Sequence, residues 1–86
     1  VLGHNHCGAV EAPIKHDPDG HIKYITDDIR EAIKEEKDEY IATCLNVKHS
    51  VKVIEDNTDM KLLEEKGLEV IGAVYHLEDG HVEFLE

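Results

Sequence analysis

The chain has 86 residues, of which 20 are acidic and nine are basic, so its formal net charge at pH 7 is −11. Such a charge repels phosphate backbones and anionic lipid surfaces, which makes nucleic acid and membranes poor partners. A chain of this length forms one domain at most, and roughly 60% of its unfolded surface is buried on folding. Because no apolar run approaches the length of about 20 residues that crosses a bilayer, and no signal-peptide pattern is present, the sequence predicts a soluble protein.

The cysteines and the first residue bear on the compartment and on the extent of the domain. Two cysteines, Cys7 and Cys44, are too few for a disulfide scaffold, so we expect reduced thiols in a cytoplasmic protein. The sequence starts with Val1 instead of a methionine and enters an apolar run at once. We therefore expect residues 1–86 to be a single domain that continues a segment upstream of Val1.

The first fifth of the sequence predicts a strand end, a turn and a short helix. Val1 and Leu2 resemble the last residues of a buried strand, and the turn spans residues 3–8. A helix then begins within residues 9–12, and Pro13 shortens or kinks it because proline lacks the N–H that the helix needs. The next stretch reads as a loop. Its Asp17, Asp19 and Gly20 are similar to part of a calcium loop, but the remaining acidic positions of that motif are absent, which favours a solvated turn.

The middle of the chain predicts helices. Thr26, followed by two aspartates, has the character of a helix start, because a side-chain oxygen there can accept from free N–H groups. From there the apolar residues recur at steps of three, four or seven, which is typical of one helical stripe. The stripe comprises Ile29, Ile33, Tyr40, Cys44, Val47, Val51 and Ile54. The charged stretch "KEEKDE" is a solvated face that can also separate two helices, and a short helix from about Asp59 to Lys66 ends at Gly67.

The last twenty residues predict a strand and a hairpin. Residues 68–75 are mostly apolar and rich in valine and isoleucine, as expected of a strand buried on both faces. Asp79 and Gly80 suit a two-residue turn. Counting outward from that turn places Leu77 opposite Val82 and Tyr75 opposite Phe84 on one face, with His76 opposite Glu83 on the other.

These elements together predict an α/β fold. A strand end, several helices and a second strand form a crossover that closes a parallel pair. The hairpin then adds an antiparallel strand at the C-terminus. The predicted fold class is therefore a parallel β-sheet flanked by helices with a C-terminal antiparallel hairpin strand.

The turn after the first strand carries the candidate metal ligands. His4 and Cys7 are separated by two residues, and open α/β sheets build their sites beyond the carboxyl ends of their strands. Imidazole and thiolate together suit zinc, which binds such ligands in a tetrahedron. Since H-x-x-C also arises by chance, the motif by itself is a weak signal.

A resemblance to a known family strengthens the prediction of a zinc site. "VLGHNHCGAV" resembles the H-x-x-C-G segment of the β-class carbonic anhydrases, and "GLEVIGAVYHLEDGHVEFLE" is similar to that family's closing V-x-G-x-x-Y-x-x-x-x-G-x-V-x-F stretch. Asn46 and Val47 continue the likeness between the two ends. The resemblance implies that the 86 residues are the C-terminal part of a longer β-carbonic-anhydrase-like domain, in which His4 and Cys7 bind Zn²⁺.

The resemblance also implies the remaining ligand and the reaction. In that family a C-x-D-x-R segment supplies a cysteine ligand and an aspartate–arginine pair, so we expect the third ligand upstream of Val1. One thiolate and one neutral imidazole leave zinc a formal charge of +1 and two vacant positions, and a second thiolate neutralises it and leaves one open. Zinc lowers the pKa of bound water from 15.7 toward roughly 7, and the resulting hydroxide converts carbon dioxide to bicarbonate.

Other residues compete for parts of these roles. His6 lies between the two ligands and could replace the missing one, although alternation of side chains tends to point it elsewhere. Cys44 falls on the helical stripe and is better interpreted as a small core residue than as a ligand. Four histidines on loops, turns or exposed helix could shuttle protons, because an imidazole titrates near neutrality. They are His16, His21, His49 and His81.

Two further functions stay open beside the carbonic anhydrase. The chain could be a degenerate relative that keeps the fold, and weak zinc binding, without the chemistry. It could also belong to a hydrolase of carbon disulfide or carbonyl sulfide on the same scaffold. Because members of the resembled family are dimers or larger, we expect a homo-oligomer.

Overall fold

The structure, a computed structural model, describes residues 1–15 and 22–85 and consists of three strands and four helices. The strands are β1 (Leu2–His4), β2 (Gly72–His76) and β3 (His81–Leu85). The helices are α1 (Gly8–Lys15), α2 (Ile22–Ile33), α3 (Glu39–Glu55) and α4 (Thr58–Glu65). The sheet has the order β1-β2-β3, with β1 parallel and β3 antiparallel to β2. The predicted α/β fold class is confirmed.

The apolar stripe is divided between two helices, as the charged stretch allowed. Helix α2 ends at Ile33, and the next residue, Lys34, has the positive φ of 56° that ends a helix. Glu36 Oε1 then accepts hydrogen bonds from the N–H groups of Lys37 and Asp38. Asp38 is the N-cap of α3, since its side chain accepts from Ile41 N at 3.0 Å. The charged stretch, interpreted mainly as a solvated face, thus also contains the break that it allowed, and residues 34–38 form it.

The predicted helix start at Thr26 is wrong, because α2 begins four residues earlier, at Ile22. Thr26 lies inside the helix and is fully buried. Its hydroxyl donates to the carbonyl of Lys23, three residues back, at 3.2 Å. A threonine oxygen can bond either to the free N–H groups of a helix start or to a carbonyl of the preceding turn, and here it does the latter.

The core lies between the first three helices. Val10 of α1, Ile29 and Ile33 of α2, and Ala42 of α3 are buried together in one cluster. Helix α1 runs through Pro13 to Lys15, so the proline does not end the helix at its own position. None of the helices formed by the described residues has the length and apolar character that spanning a membrane requires.

Helix α3 also covers one face of the sheet, and Gly3 permits its close approach. A Cβ atom on Gly3 would lie 2.5 Å from Val47 Cγ2, and one on Gly72 would lie 2.9 Å from Val47 Cγ1. Both values are far below an ordinary carbon–carbon contact of about 3.5–4.0 Å. Val74, which pairs with Gly3 and follows Gly72 by two residues on the same face, is fully buried. The absence of side chains at Gly3 and Gly72 thus allows the sheet to pack closely against α3.

The opposite face of the sheet is open. Register places Leu2, Ala73 and Phe84 in one row across the strands, and His4, Tyr75 and Val82 in the next. Leu2 is 63% exposed and Phe84 is 71% exposed, whereas Ala73 is buried. The sheet in this chain is therefore covered by a helix on one face, and His4 belongs to the other face.

The chain between α4 and β2 corrects the predicted strand. The N–H of Gly67 bonds to Glu64 O and that of Leu68 bonds to Leu63 O, a Schellman arrangement with Gly67 at φ 109°. The prediction that α4 ends at this glycine is confirmed. The predicted strand over residues 68–75 begins too early, because β2 begins only at Gly72, which pairs with Leu85 of β3. Of residues 68–75, only residues 72–74 are buried, so the predicted burial on both faces does not hold for the whole stretch.

The predicted two-residue turn is wrong, since residues 77–80 form a four-residue loop. Gly80 N bonds to His76 O, and the Asp79 side chain accepts from His81 N at 2.9 Å. These bonds stabilise the longer loop. Tyr75 consequently lies opposite Val82, and His76 lies opposite His81. The register is shifted by two residues from the predicted one, so the paired residues stay on the faces predicted for them, whereas Leu77, predicted opposite Val82, lies in the loop.

Candidate metal centre

The candidate ligands flank a tight turn between β1 and α1. His4 is the last residue of β1, and Cys7 directly precedes α1. The Cys7 carbonyl accepts from Val10 N at 3.1 Å and from Glu11 N at 2.9 Å, so Cys7 is the residue from which the helix starts. His6 between them has a φ of 53°. The turn thus follows the carboxyl end of a parallel strand, as the sequence predicts.

The His4 ring is oriented by the backbone of its neighbour. His4 Nδ1 lies 2.8 Å from the carbonyl oxygen of Asn5. Because a carbonyl oxygen only accepts, Nδ1 must carry the proton of this bond. In that tautomer Nε2 has a free lone pair. A ring held in this way is ready to bind a metal through Nε2.

Asn5 connects this turn with the loop between β2 and β3. It is only 8% exposed. Its Nδ2 donates to Glu78 Oε2 at 2.7 Å, and its Oδ1 accepts from Leu77 N at 2.9 Å. Its backbone N donates to Tyr75 O at 3.1 Å. The sequence analysis missed Asn5, because nothing in a local motif indicates partners more than seventy residues away.

A second group lies beyond Glu78, and the sequence analysis placed only two of its members, His76 and Glu83, together. His76 Nδ1 is 3.4 Å from Glu78 Oε1, and His76 Nε2 is 3.1 Å from Glu83 Oε1. The Tyr40 hydroxyl also donates to Glu83 Oε1, and the Tyr40 and His76 rings stack with centroids 5.9 Å apart. This cluster joins the start of α3 to both strands of the hairpin.

Hydrogen bonds shift the acidity of these side chains. The bond to Glu83, followed by the bond to Glu78, raises the pKa of His76 despite partial burial. The Asn5 amide lowers the pKa of the Glu78 carboxyl, and the Tyr40 hydroxyl followed by His76 lowers that of Glu83. The same bond to Glu83 raises the pKa of the Tyr40 phenol. Both carboxylates and a neutral phenol are thus favoured at neutral pH.

His6 lies close to Glu11 and Glu39 and forms a group with them that does not include the predicted ligands. Its Nδ1 is 3.6 Å from Glu39 Oε1. Donor atoms of His6, Glu11 and Glu39 all lie within 4.8 Å of one another, and neither His4 nor Cys7 belongs to this group. His6 therefore contacts Glu39 at the start of α3.

The remaining candidates are dispersed. Cys7 and Cys44 are both free and half-buried, so Cys44 lies at the margin of the core and not inside it. His81 is exposed, and His49 borders a cleft of about 380 Å³ between α2 and α3. The possible calcium residues Asp17, Asp19 and Gly20, together with His16 and His21, lie outside the described residues.

Solved structures of other proteins have a fold similar to that of this chain. Two similar solved structures are mutant forms of the β-carbonic anhydrase CafD of the filamentous fungus Aspergillus fumigatus. Each has 17% sequence identity and a TM-score of 0.71, and the match covers 99% of this chain and 54% of the fungal one. At this identity the likeness concerns the fold, and the chain spans about half the length of these structures.

Sequence comparisons give two results. No curated protein sequence matches the chain. The family described as carbonic anhydrase matches residues 1–82, which include β1, all four helices, β2 and the turn between β1 and α1. The chain therefore belongs to the carbonic anhydrase family, and its fold is that of the β class.

Proposed function

We propose that this chain supplies His4 and Cys7 to the zinc site of an enzyme that reversibly hydrates carbon dioxide to bicarbonate. The observation that carries the proposal is the His4 ring, whose Nδ1–H is held by the Asn5 carbonyl at the carboxyl end of β1. That contact leaves Nε2 free for a metal. Membership of the carbonic anhydrase family over residues 1–82 supports the reaction.

The donor set fits zinc. An imidazole nitrogen and a thiol sulfur stand at the two ends of one turn, and zinc binds both kinds of ligand. A catalytic zinc site uses three protein ligands. In our proposal the third is a cysteine from a C-x-D-x-R segment upstream of Val1, so that residues 1–86 form the C-terminal part of a longer domain. Zinc bound there would supply activation of water at neutral pH.

The residues of the turn have separate tasks in this proposal. The Asn5 carbonyl keeps the proton on His4 Nδ1 and presents Nε2. The hydrogen bonds of the Cys7 carbonyl to α1 fix the backbone that carries the sulfur. Gly3 brings the strand close to α3, which sets the position of the turn relative to the helical layer.

We also propose a cytoplasmic homo-oligomer whose small-molecule partners are carbon dioxide and bicarbonate. Two free cysteines are compatible with a reducing compartment. A net charge of −11 disfavours contacts with nucleic acid and anionic membranes. The open face of the sheet carries apolar side chains that an additional protein layer would bury.

Zinc content and activity of three variants of the intact protein test the proposal. We expect His4→Ala and Cys7→Ser to lose zinc and carbon dioxide hydration, measured by atomic emission and stopped-flow pH change. His6→Ala is the matched control from the same turn, and it should retain both. Zinc that survives Cys7→Ser but disappears with His6→Ala would assign the metal to the His6, Glu11 and Glu39 group and contradict the proposal.

The same assays separate the other functions. An intact protein that holds zinc through His4 and Cys7 but hydrates no carbon dioxide is a non-catalytic relative. Turnover of carbon disulfide or carbonyl sulfide by that protein would indicate the hydrolase. In either result the metal site stands and the proposed reaction is wrong.

A further inference from the structure

Asn5 is bonded through its backbone and its side chain to four different groups. Its carbonyl accepts from His4 Nδ1 and its N–H donates to Tyr75 O. Its side chain reaches the next part of the hairpin, where it accepts from Leu77 N and donates to Glu78 Oε2. The orientation of the His4 ring is thus linked to the β2–β3 loop through one buried residue.

The loop end of this link is itself held in place. Glu78 Oε1 faces His76 Nδ1 at 3.4 Å, while Nε2 of the same ring faces Glu83 on β3 at 3.1 Å. Tyr40, at the start of α3, donates to Glu83 and stacks on His76. Glu78 therefore presents its second oxygen to Asn5 from a carboxylate that is fixed on its other side.

The chemistry of the position requires an amide. The backbone N–H of Leu77 needs an acceptor and the Glu78 carboxylate needs a donor, and an asparagine side chain supplies both at once. An aspartate would place a second carboxylate against Glu78. An alanine would remove both bonds and leave a void at a residue that is 92% buried, which is destabilising.

We propose that Asn5 is a positioning residue that anchors the turn from His4 to Cys7 to the β2–β3 loop and thereby fixes the orientation and tautomer of the His4 ring. The inference rests on the proposed metal role of His4, which it deepens. Outer-shell partners of metal-binding histidines set ring orientation, and their loss typically lowers metal affinity about 10–100-fold. Here the partner is a backbone carbonyl, so its position depends on the side chain that holds the backbone.

Two variants in the intact protein break the link from opposite ends. Asn5→Ala removes the anchor, and Glu78→Ala removes its loop partner at a side chain that is 58% exposed, where truncation does not threaten the fold. Asp79→Ala is the matched control, because it deletes another side-chain-to-backbone bond of the same loop without touching Asn5. Glu78→Gln keeps an oxygen that can accept from Asn5.

Nitrogen-15 NMR of the histidine rings in the metal-free protein gives the first measurement. We expect His4 to be in the Nδ1–H tautomer in the wild type and in Asp79→Ala, and in a mixture of tautomers in Asn5→Ala and Glu78→Ala. Zinc affinity, measured by competition with a chelator, should fall about 10–100-fold in the last two variants. Glu78→Gln should restore both properties.

Two results would overturn the inference. One is an unchanged His4 tautomer in both Asn5→Ala and Glu78→Ala. The other is an Asp79→Ala variant that loses the tautomer to the same extent, because the loop as a whole would then be responsible. A wild-type protein that binds no zinc would contradict the proposed function instead, while the NMR measurement would still decide whether Asn5 anchors His4.

Discussion

Substitution of Gly3 by alanine tests how closely the sheet approaches α3. The added Cβ would lie 2.5 Å from Val47 Cγ2 and 3.6 Å from Thr43 Cγ2. The second contact is ordinary, so the strain falls on Val47, which is only 3% exposed and has little space to move. Overpacking of this kind lowers the free energy of unfolding by about 1–3 kcal/mol.

A second substitution turns this clash into a measurable coupling. Val47→Ala removes two buried methyl groups, which are worth about 1.6 kcal/mol in transfer free energy, and the cavity raises the total to about 2–3 kcal/mol. In the double variant the new methyl on residue 3 occupies space that the valine has vacated. The loss should therefore be smaller than the sum of the two single losses by at least about 1 kcal/mol.

Urea unfolding of the intact protein measures these differences. Gly8→Ala is the control, because a Cβ atom on Gly8 meets no heavy atom within 4 Å, and it should leave stability nearly unchanged. Losses for Gly3→Ala and Val47→Ala that add within about 0.5 kcal/mol would show independent sites. That result would refute the close packing of β1 against α3.

Three other variants test separate parts of the fold. The raised pKa of His76 contributes stability that is complete below the unfolded value of about 6.5 and is lost as pH rises through the folded value. His76→Gln should therefore flatten the fall in unfolding free energy as pH rises above about 6.5, and an unchanged slope would contradict this. Asn57→Ala removes the N-cap of α4 and should reduce stability by about 1 kcal/mol in urea unfolding, whereas equal stability would argue against the cap. Gly67→Ala forces a side chain into φ 109° and should lower the free energy of unfolding by about 1–2 kcal/mol, and a neutral effect in thermal unfolding would mean that the helix ends differently.

The hairpin illustrates what periodicity can and cannot predict. The alternation of side chains assigned Tyr75, Val82 and Phe84 to one face and His76 and Glu83 to the other, and the structure agrees. The loop length was wrong by two residues. An even shift preserves every face, so the pattern that predicted the faces could not detect the error.

Among the helix boundaries, one could be predicted from the sequence and another could not. The end of α4 at Gly67 was predictable, because a positive φ leaves few alternatives to glycine. The start of α2 was not, because Thr26 has a hydroxyl that can bond forward to N–H groups or back to a carbonyl. Only the packing of the buried side chain decides between these two, and that packing depends on distant residues.

The residues of the candidate centre also differ in whether the sequence could predict them. His4 and Cys7 belong to a local motif and could be selected by their spacing and by a family resemblance. The contact between Asn5 and Glu78 became visible only when β2 paired with β1, which brings residue 5 to the loop after residue 76. Contacts between residues that are far apart in the sequence produce no periodic pattern from which they could be predicted.

The open sheet face has a consequence for how this chain behaves in solution. The open face carries an exposed apolar patch formed by Leu2, Val82 and Phe84. The excess of carboxylates on the rest of the molecule causes electrostatic repulsion between copies of the chain. Dissolved salt shortens the reach of that repulsion to about 10 Å at 0.1 M while leaving the attraction between apolar surfaces intact. Light scattering from the chain should therefore increase with ionic strength, the reverse of what a salt-bridged association would give.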